Sequence, residues 1–333
     1  MLDHTIRRAA ADYGRAAAYE AADGWTISYH ELDRASDEAA SGLLARGVQG
    51  GDVVALALPS TIEYIVAYLA AAKIGAITAG TNPRLRPSER TAVIETAAPK
   101  LVIATEDHVA GIPDDHAVEL IRLAETPDAI LGGLRVPGQT PAALPADLDR
   151  PVCICFSSGS TGDPKGALFA NRQLAAIAEL DTGGAWGGGG HRIAPTEFAH
   201  IGIMTKLPWL LAAGGTTHLL AKWRAADVVD LIDRHRIGAV TGVAPQIALM
   251  LRVDGIEERD FSCVKAIVVG GSASPPALVR EARRVFGAPY LIRYSSTECG
   301  GVGLGTSPEA DDEEALHTIG RPRPGIEATV RGP

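Results

Sequence analysis

The chain has 333 residues, of which 46% are apolar and 21% charged, and its formal net charge is −9. This length holds about two domains' worth of structure, and the balance excludes the charge-rich, apolar-poor profile of a disordered chain. The net negative field repels nucleic acid and anionic membranes, and no dense run of Lys and Arg reverses it locally, so any polyanion must be held by a local device.

From the N-terminus, MLDHTIRRAA lacks the basic, apolar and small-residue order of a signal peptide, and no apolar run reaches the roughly 18 residues that span a bilayer. A cytoplasmic location without a transmembrane segment is the expectation. Ser28 with Glu31 makes a capping-box pattern ahead of LDRASDEAASGLLARG, and Ser60 with Glu63 repeats it ahead of YIVAYLAAAKIG. Both predicted helices stop at a glycine, Gly47 and Gly75. The apolar stretch 65–80 is broken by Lys73 and Gly75, and reads as a buried helix running into a strand.

Short apolar runs at 53–58, 101–104, 152–156, 239–243, 266–269 and 290–292 predict strands between such helices. Continuous apolar strands alternating with helices predict an α/β fold, with mostly parallel sheets covered by helices. The alternation runs twice, before and after GGAWGGGG at 183–190, which predicts two packed α/β sub-domains joined by a flexible connector. After Ser307, PEADDEEAL gives way to GRPRPGIEATV, whose Pro and Gly spacing suits turns and an alternating strand. Residues 1–318 are therefore expected to form the main domain, and 319–333 the start of a small β-barrel-like element. A chain stopping at Arg331-Gly332-Pro333, just after that strand begins, is expected to be a fragment. Cys153, Cys155, Cys263 and Cys299 match neither a zinc site nor a CxxC redox pair, and read as reduced thiols.

The strongest local signal for chemistry is the segment Ser157-Ser158-Gly159-Ser160-Thr161-Gly162-Asp163-Pro164-Lys165-Gly166, directly after VCICF. Small residues let backbone N–H groups approach a polyanion, hydroxyls add donors and one lysine adds charge, which together make a phosphate cradle. It is not a Walker A loop, because no Gly-Lys-Ser/Thr follows four residues after a glycine. The bland alternative is a flexible turn. Three glycines, four hydroxyls and a lysine after a buried strand argue against it.

This segment resembles the [YF]-TSGTTG-x-PKG loop of the adenylate-forming superfamily, with Phe156 in the aromatic place. Gly270-Gly271-Ser272-Ala273-Ser274-Pro275 resembles the turn whose backbone flanks adenine, and Tyr294-Ser295-Ser296-Thr297-Glu298 resembles YGxTE. IGRPRPGIE and the region from TISYHELD to GTNPRL are also similar to the family. The resemblance implies an acyl-CoA synthetase that turns a carboxylic acid and ATP into an acyl-adenylate and then a thioester of coenzyme A, with Mg²⁺. It implies that Ser157, Ser158, Gly159, Ser160, Thr161, Gly162, Lys165, Gly271, Ser272, Ala273, Tyr294 and Thr297 bind ATP, with Tyr294 on adenine and Thr297 at the α-phosphate. It assigns the metal to Thr161 and Glu298, and catalytic roles to Lys165, His200, Thr297 and Glu298.

His200 enters through PTEFAHIG, which resembles the family's PxFHxxG region, where the histidine lies by the substrate carboxylate or gates the acyl tunnel. Amino-acid-activating relatives carry an FDxS-like aspartate there, and this chain does not, which favours an ordinary organic acid. Two other readings stay open. One is a fatty acyl-AMP ligase serving a carrier protein, and the other is a non-catalytic nucleotide-binding remnant. Lacking the family's C-terminal lid, the chain alone is expected to bind ATP or AMP and to catalyse poorly. The nature of the acid and a homodimer are also left open.

Overall fold

The computed structural model describes residues 1–157, 163–194 and 197–331. The chain forms two compact units, one of Met1–Gly189 and Thr196–Leu219, the other of Gly190–Pro195 and Leu220–Pro333. Among the described residues no helix is long and apolar enough to cross a membrane.

The first unit is built on a six-stranded sheet in the order Val118–Leu120, Leu101–Ala104, Val53–Ala57, Ile77–Gly80, Pro151–Ser157 and Lys165–Ala170. All neighbours pair in parallel except the last two, which form an antiparallel hairpin. The chain steps outward from Val53–Ala57 to Ile77–Gly80, then back across to Leu101–Ala104. Such a reversal is a topological switch point, and in open α/β sheets ligands bind beside it at the carboxyl ends of the strands.

The first capping box forms as the residues dictate. Ser28 Oγ accepts from the Glu31 N–H at 3.2 Å and Glu31 Oε2 accepts from the Ser28 N–H at 2.8 Å, opening the helix Tyr29–Ala45. The second does not form, because tertiary partners outbid the local cap. The helix Ile62–Lys73 is instead capped by Thr61 without a side-chain hydrogen bond. Ser60 Oγ donates to Glu197 Oε2 at 2.7 Å, and Glu63 Oε1 accepts from the Ala124 N–H at 2.6 Å. Every residue of Ile62–Lys73 is buried, as expected of a helix apolar on all sides.

Besides Glu63, the exception in composition is Lys73, whose ammonium lies 2.5 Å from Asp33 Oδ1 and 2.8 Å from Asp37 Oδ1 and donates to the Asp33 carbonyl at 2.7 Å. Burial pulls its pKa down, opposed by the two aspartates. Asp37 also meets Arg7 Nη2 at 3.0 Å, from the helix Leu2–Tyr13.

The glycine run is tied down where a flexible connector was expected. Trp186 lies under the Arg8 guanidinium at 3.8 Å and stacks on Tyr13 with centroids 6.2 Å apart. The N–H groups of Gly187 and Gly189 donate to the Ala212 and Ala213 carbonyls, each at 2.8 Å. One indole thus supplies the packing that the glycines lack.

The second unit carries a five-stranded sheet, Ala239–Gly242, Ala266–Gly270, Tyr290–Tyr294, Leu304–Gly305 and Arg321–Pro322, the first three parallel and the last two antiparallel. Its core includes Val229, Ile247, Ile267, Val279 and Phe286, with Phe261 edge-on to Phe286 at 4.8 Å. The acidic stretch forms the short helix Asp312–His317, capped by Asp311 Oδ1 accepting from the Glu314 N–H at 2.8 Å. Arg321–Pro322 then pairs along the edge of the sheet, and no strand follows among the described residues.

Removing a buried cation leaves its carboxylates unpaired, and such losses cost about 3–5 kcal/mol. Lys73→Met keeps the apolar stem and is expected to destabilise the protein by about this amount, read as a fall in the urea midpoint. An unchanged midpoint would show that the Asp33–Lys73–Asp37 cluster contributes nothing net.

Candidate functional site

In the first unit the phosphate-loop candidates sit on the edge hairpin. Ser157 and Lys165 are register partners, Ser157 Oγ donates to the Lys165 carbonyl at 3.5 Å, and the Lys165 side chain is exposed. Ser158, Gly159, Ser160, Thr161 and Gly162, which connect the two strands, lie outside the described residues. Gly166 faces Phe156 across the hairpin, and a Cβ there would come within 2.7 Å of Ile154 Cγ2 and 3.2 Å of Phe156 Cε1. The absence of a side chain therefore lets Lys165 follow directly on a close-packed strand pair.

His200 caps the short helix Ile201–Met204, and its Nδ1 accepts from the Gly202 N–H at 3.1 Å. A backbone amide can only donate, so Nδ1 is unprotonated and the ring proton resides on Nε2. Partial burial disfavours the imidazolium and lowers the pKa of His200 from 6.5. The residue is exposed by surface area yet enclosed around the ring, and the enclosure sets the direction of the shift.

The turn that carries His200 is clamped by residues that local patterns do not reveal. Glu197 lies 2.7 Å from Arg84 Nη2 as well as from Ser60 Oγ, and the Phe198 N–H donates to Ser60 Oγ at 3.0 Å. Phe198 packs edge-on against Tyr64, centroids 5.8 Å apart. At Gly80, the end of its strand, a Cβ would lie 2.6 Å from Met204 Sδ and 3.0 Å from Ala199 Cα, so only glycine lets this turn settle on the sheet. Ser60 and Glu197 are 137 residues apart in sequence, too far for spacing to connect them.

In the second unit the remaining candidates gather at the carboxyl ends of two neighbouring inner strands of the sheet. Ala266–Gly270 and Tyr290–Tyr294 are parallel neighbours with Gly270 opposite Arg293, so Gly271, Ser272 and Ala273 leave one strand beside Tyr294, Thr297 and Glu298 leaving the next. A Cβ on Gly270 would come within 2.9 Å of the Arg293 carbonyl, and Gly271 has φ +76°, a left-handed conformation that favours glycine. Tyr294 is 57% exposed, an unusual state for an aromatic ring that ends a core strand. Thr297 and Glu298 occupy a turn closed by the Gly300 N–H donating to the Thr297 carbonyl at 3.0 Å. Cys299 braces it, its Sγ accepting from the Ser296 N–H at 3.1 Å and donating to the Ser296 carbonyl at 3.2 Å. This bracing residue was not singled out for the site, since a lone cysteine carries no pattern.

In each unit the described candidates thus lie at or beside the carboxyl ends of parallel strands. A family model for AMP-binding enzymes matches residues 6–333. The chain belongs to the AMP-binding enzyme family. Among its curated relatives, a fatty acid–[acyl-carrier-protein] ligase, ScoC, of Streptomyces coeruleorubidus is 26% identical over 92% of this chain and 61% of its own length. An indoleacetate–CoA ligase of Aromatoleum aromaticum is 28% identical over 92% of this chain and 62% of its own. The chain therefore spans less than two thirds of the curated relatives it matches. Among solved structures, a Mycobacterium tuberculosis fatty acyl CoA synthetase superposes with a TM-score of 0.84 at 23% identity, over 99% of this chain and 66% of that one. At that identity the likeness is one of fold, a mixed α/β architecture with mostly parallel sheets.

His200 is expected to titrate below 6.5 when its ring protons are followed by NMR. The sign for stability follows. With the folded pKa below the unfolded one, the unfolded chain binds the proton more readily, so this residue costs stability as pH falls through and below about 6.5 and nothing above it. A titration at or above the ordinary histidine value would contradict the partly enclosed, Nε2-protonated assignment.

Proposed function

We propose that this chain is the nucleotide- and acid-binding part of an AMP-forming acid–thiol ligase, which converts a carboxylic acid and ATP into an acyl-adenylate and then a thioester. The observation that carries the reading is the pairing in the second unit of a glycine turn with an exposed Tyr294 and the Thr297-Glu298 turn at adjoining strand ends. An open backbone beside an aromatic face suits a purine, and a hydroxyl beside a carboxylate suits a phosphate with its counter-ion. Membership of the AMP-binding family and ligase relatives for both carrier-protein and CoA acceptors support the same chemistry.

A carboxylate resists acyl transfer because its leaving group would be oxide, and adenylation replaces this with a good leaving group. The substrate oxygen attacks the α-phosphorus of ATP, the bond to pyrophosphate breaks, and pyrophosphate carries away the electron pair. In this reading Lys165 and the 157–162 hydroxyls and amides hold phosphate oxygens, Thr297 donates to the α-phosphate, and Tyr294 stacks on adenine. His200, neutral with its proton on Nε2, donates to the substrate carboxylate without neutralising the charge it needs to attack. Glu298, an exposed carboxylate, fits a hard cation, with Thr161 as the second proposed ligand. Mg²⁺ bound there supplies charge neutralisation on the phosphates. Coenzyme A is the proposed acceptor thiol, and the substrate an ordinary organic acid.

Calorimetry with ATP and Mg²⁺ tests the site. Lys165→Ala is expected to weaken ATP about ten- to a hundredfold while leaving adenosine little changed, the span of a lost hydrogen bond to a charged group. Glu298→Ala is expected to remove the Mg²⁺ dependence of ATP binding. Both variants binding like the parent protein would overturn the reading. Carboxylate-dependent ATP–pyrophosphate exchange across fatty, aryl and alicyclic acids then tests the acid.

A further inference from the structure

Three sulfur-bearing residues, Cys153, Cys155 and Met204, are buried in the interior of the first unit, where the adenylation chemistry has no use for them. Cys153 and Cys155 are two residues apart in the strand Pro151–Ser157, so their side chains share a face. Cys155 Sγ lies 3.8 Å from the thioether sulfur of Met204. The three residues are 0%, 1% and 0% exposed. Around them stand two buried phenols: the Tyr64 hydroxyl is 3.4 Å from Met204 Sδ, and the Tyr68 hydroxyl donates to the Met204 carbonyl at 2.9 Å.

Two sulfurs bound to one metal ion at about 2.3 Å stand about 3.8–4.0 Å apart in tetrahedral or trigonal geometry. The Cys155–Met204 spacing already has this value. We propose that Cys153, Cys155 and Met204 form a buried binding site for Cu(I). Two thiols and a thioether are soft donors, which select Cu(I) and disfavour Mg²⁺ or Ca²⁺. The ion enters as Cu(I), so no electron moves. Each cysteine exchanges its S–H bond for a metal–sulfur bond and releases its proton to solvent, while Met204 donates a lone pair without proton loss. Because thiol ligands give up their protons on binding, binding strengthens as pH rises. The Tyr64 hydroxyl is placed to donate toward the negative charge that two thiolates and one Cu(I) leave.

With the sulfurs covered, the ion has to enter through an opening of the short helix Ile201–Met204, and uptake is expected to be slow. Once bound, it ties the helix that His200 caps to the strand that leads to Ser157. The site thus offers a thiophilic metal a grip on both elements without touching the nucleotide residues.

The test is an anaerobic titration of the full chain with Cu(I) in competition with bicinchoninate, following thiolate-to-Cu(I) charge-transfer absorption in the ultraviolet. One equivalent per chain with release of two protons is expected. Losing even an outer partner of a metal typically costs 10–100-fold in affinity, so Met204→Leu, which conserves volume but removes a direct ligand, should weaken binding by at least about tenfold. The pair Cys153→Ser with Cys155→Ser should abolish binding, and Cys263→Ser with Cys299→Ser should retain it. X-ray absorption of the loaded wild-type protein needs no variant to fold: three sulfur scatterers near 2.3 Å support the site. Oxygen or nitrogen scatterers, binding lost with Cys263 and Cys299, or affinity indifferent to Met204→Leu would each overturn it.

Discussion

The ammonium of Lys73 sits where three helices of the first unit converge, held by Asp33 and Asp37 of one helix, with Arg7 of another sharing Asp37. A charge buried this fully costs several kcal/mol in lost hydration, and only close pairing with good geometry offsets it. The two aspartates lie four residues apart, so they rise from one face of Tyr29–Ala45 and grip the cation together. The register of the helical layer follows: Ile62–Lys73 can slide along its neighbour only by stripping the lysine of its partners. That helix joins Val53–Ala57 to Ile77–Gly80, so its placement carries over to the strand ends.

At those ends the backbone approaches its neighbours too closely for side chains. Gly80 admits the turn of His200 onto the sheet, Gly166 admits the hairpin of Lys165, and in the second unit Gly270 admits the strand of Tyr294. The chemistry-bearing residues follow directly on these contacts. A rigid, tightly packed base under short turns is the arrangement expected where a site must hold its donors in place before a substrate arrives.

Local patterns succeeded where the partners of a residue are near in sequence. Ser28 and Glu31 cap a helix because their groups fall three residues apart, and the apolar runs became strands because a run of that length is satisfied by pairing on both sides. Ser60 and Glu63 carry the same spacing and fail to make the box. Glu197 and the Ala124 amide offer them partners that a local window does not contain. The glycine run failed for a related reason: its composition is that of a flexible connector, while a single Trp186 finds Arg8 and Tyr13 far away in the chain.

The sequence by itself determined the α/β alternation, the positions of the six apolar strands at 53–57, 101–104, 151–157, 239–242, 266–270 and 290–294, and the motif segments that point to adenylation chemistry. All of these rest on interactions spanning a few residues, or on residue types whose chemistry is plain without a partner. Only the tertiary structure decided that Lys73, read as a break in an apolar run, is a buried and paired charge, and that Glu197 anchors the His200 turn. It alone brought Cys155 against Met204. Burial and pairing of polar and sulfur groups depend on which distant segments arrive beside them, and that is settled by packing of the whole unit and not by spacing along the chain.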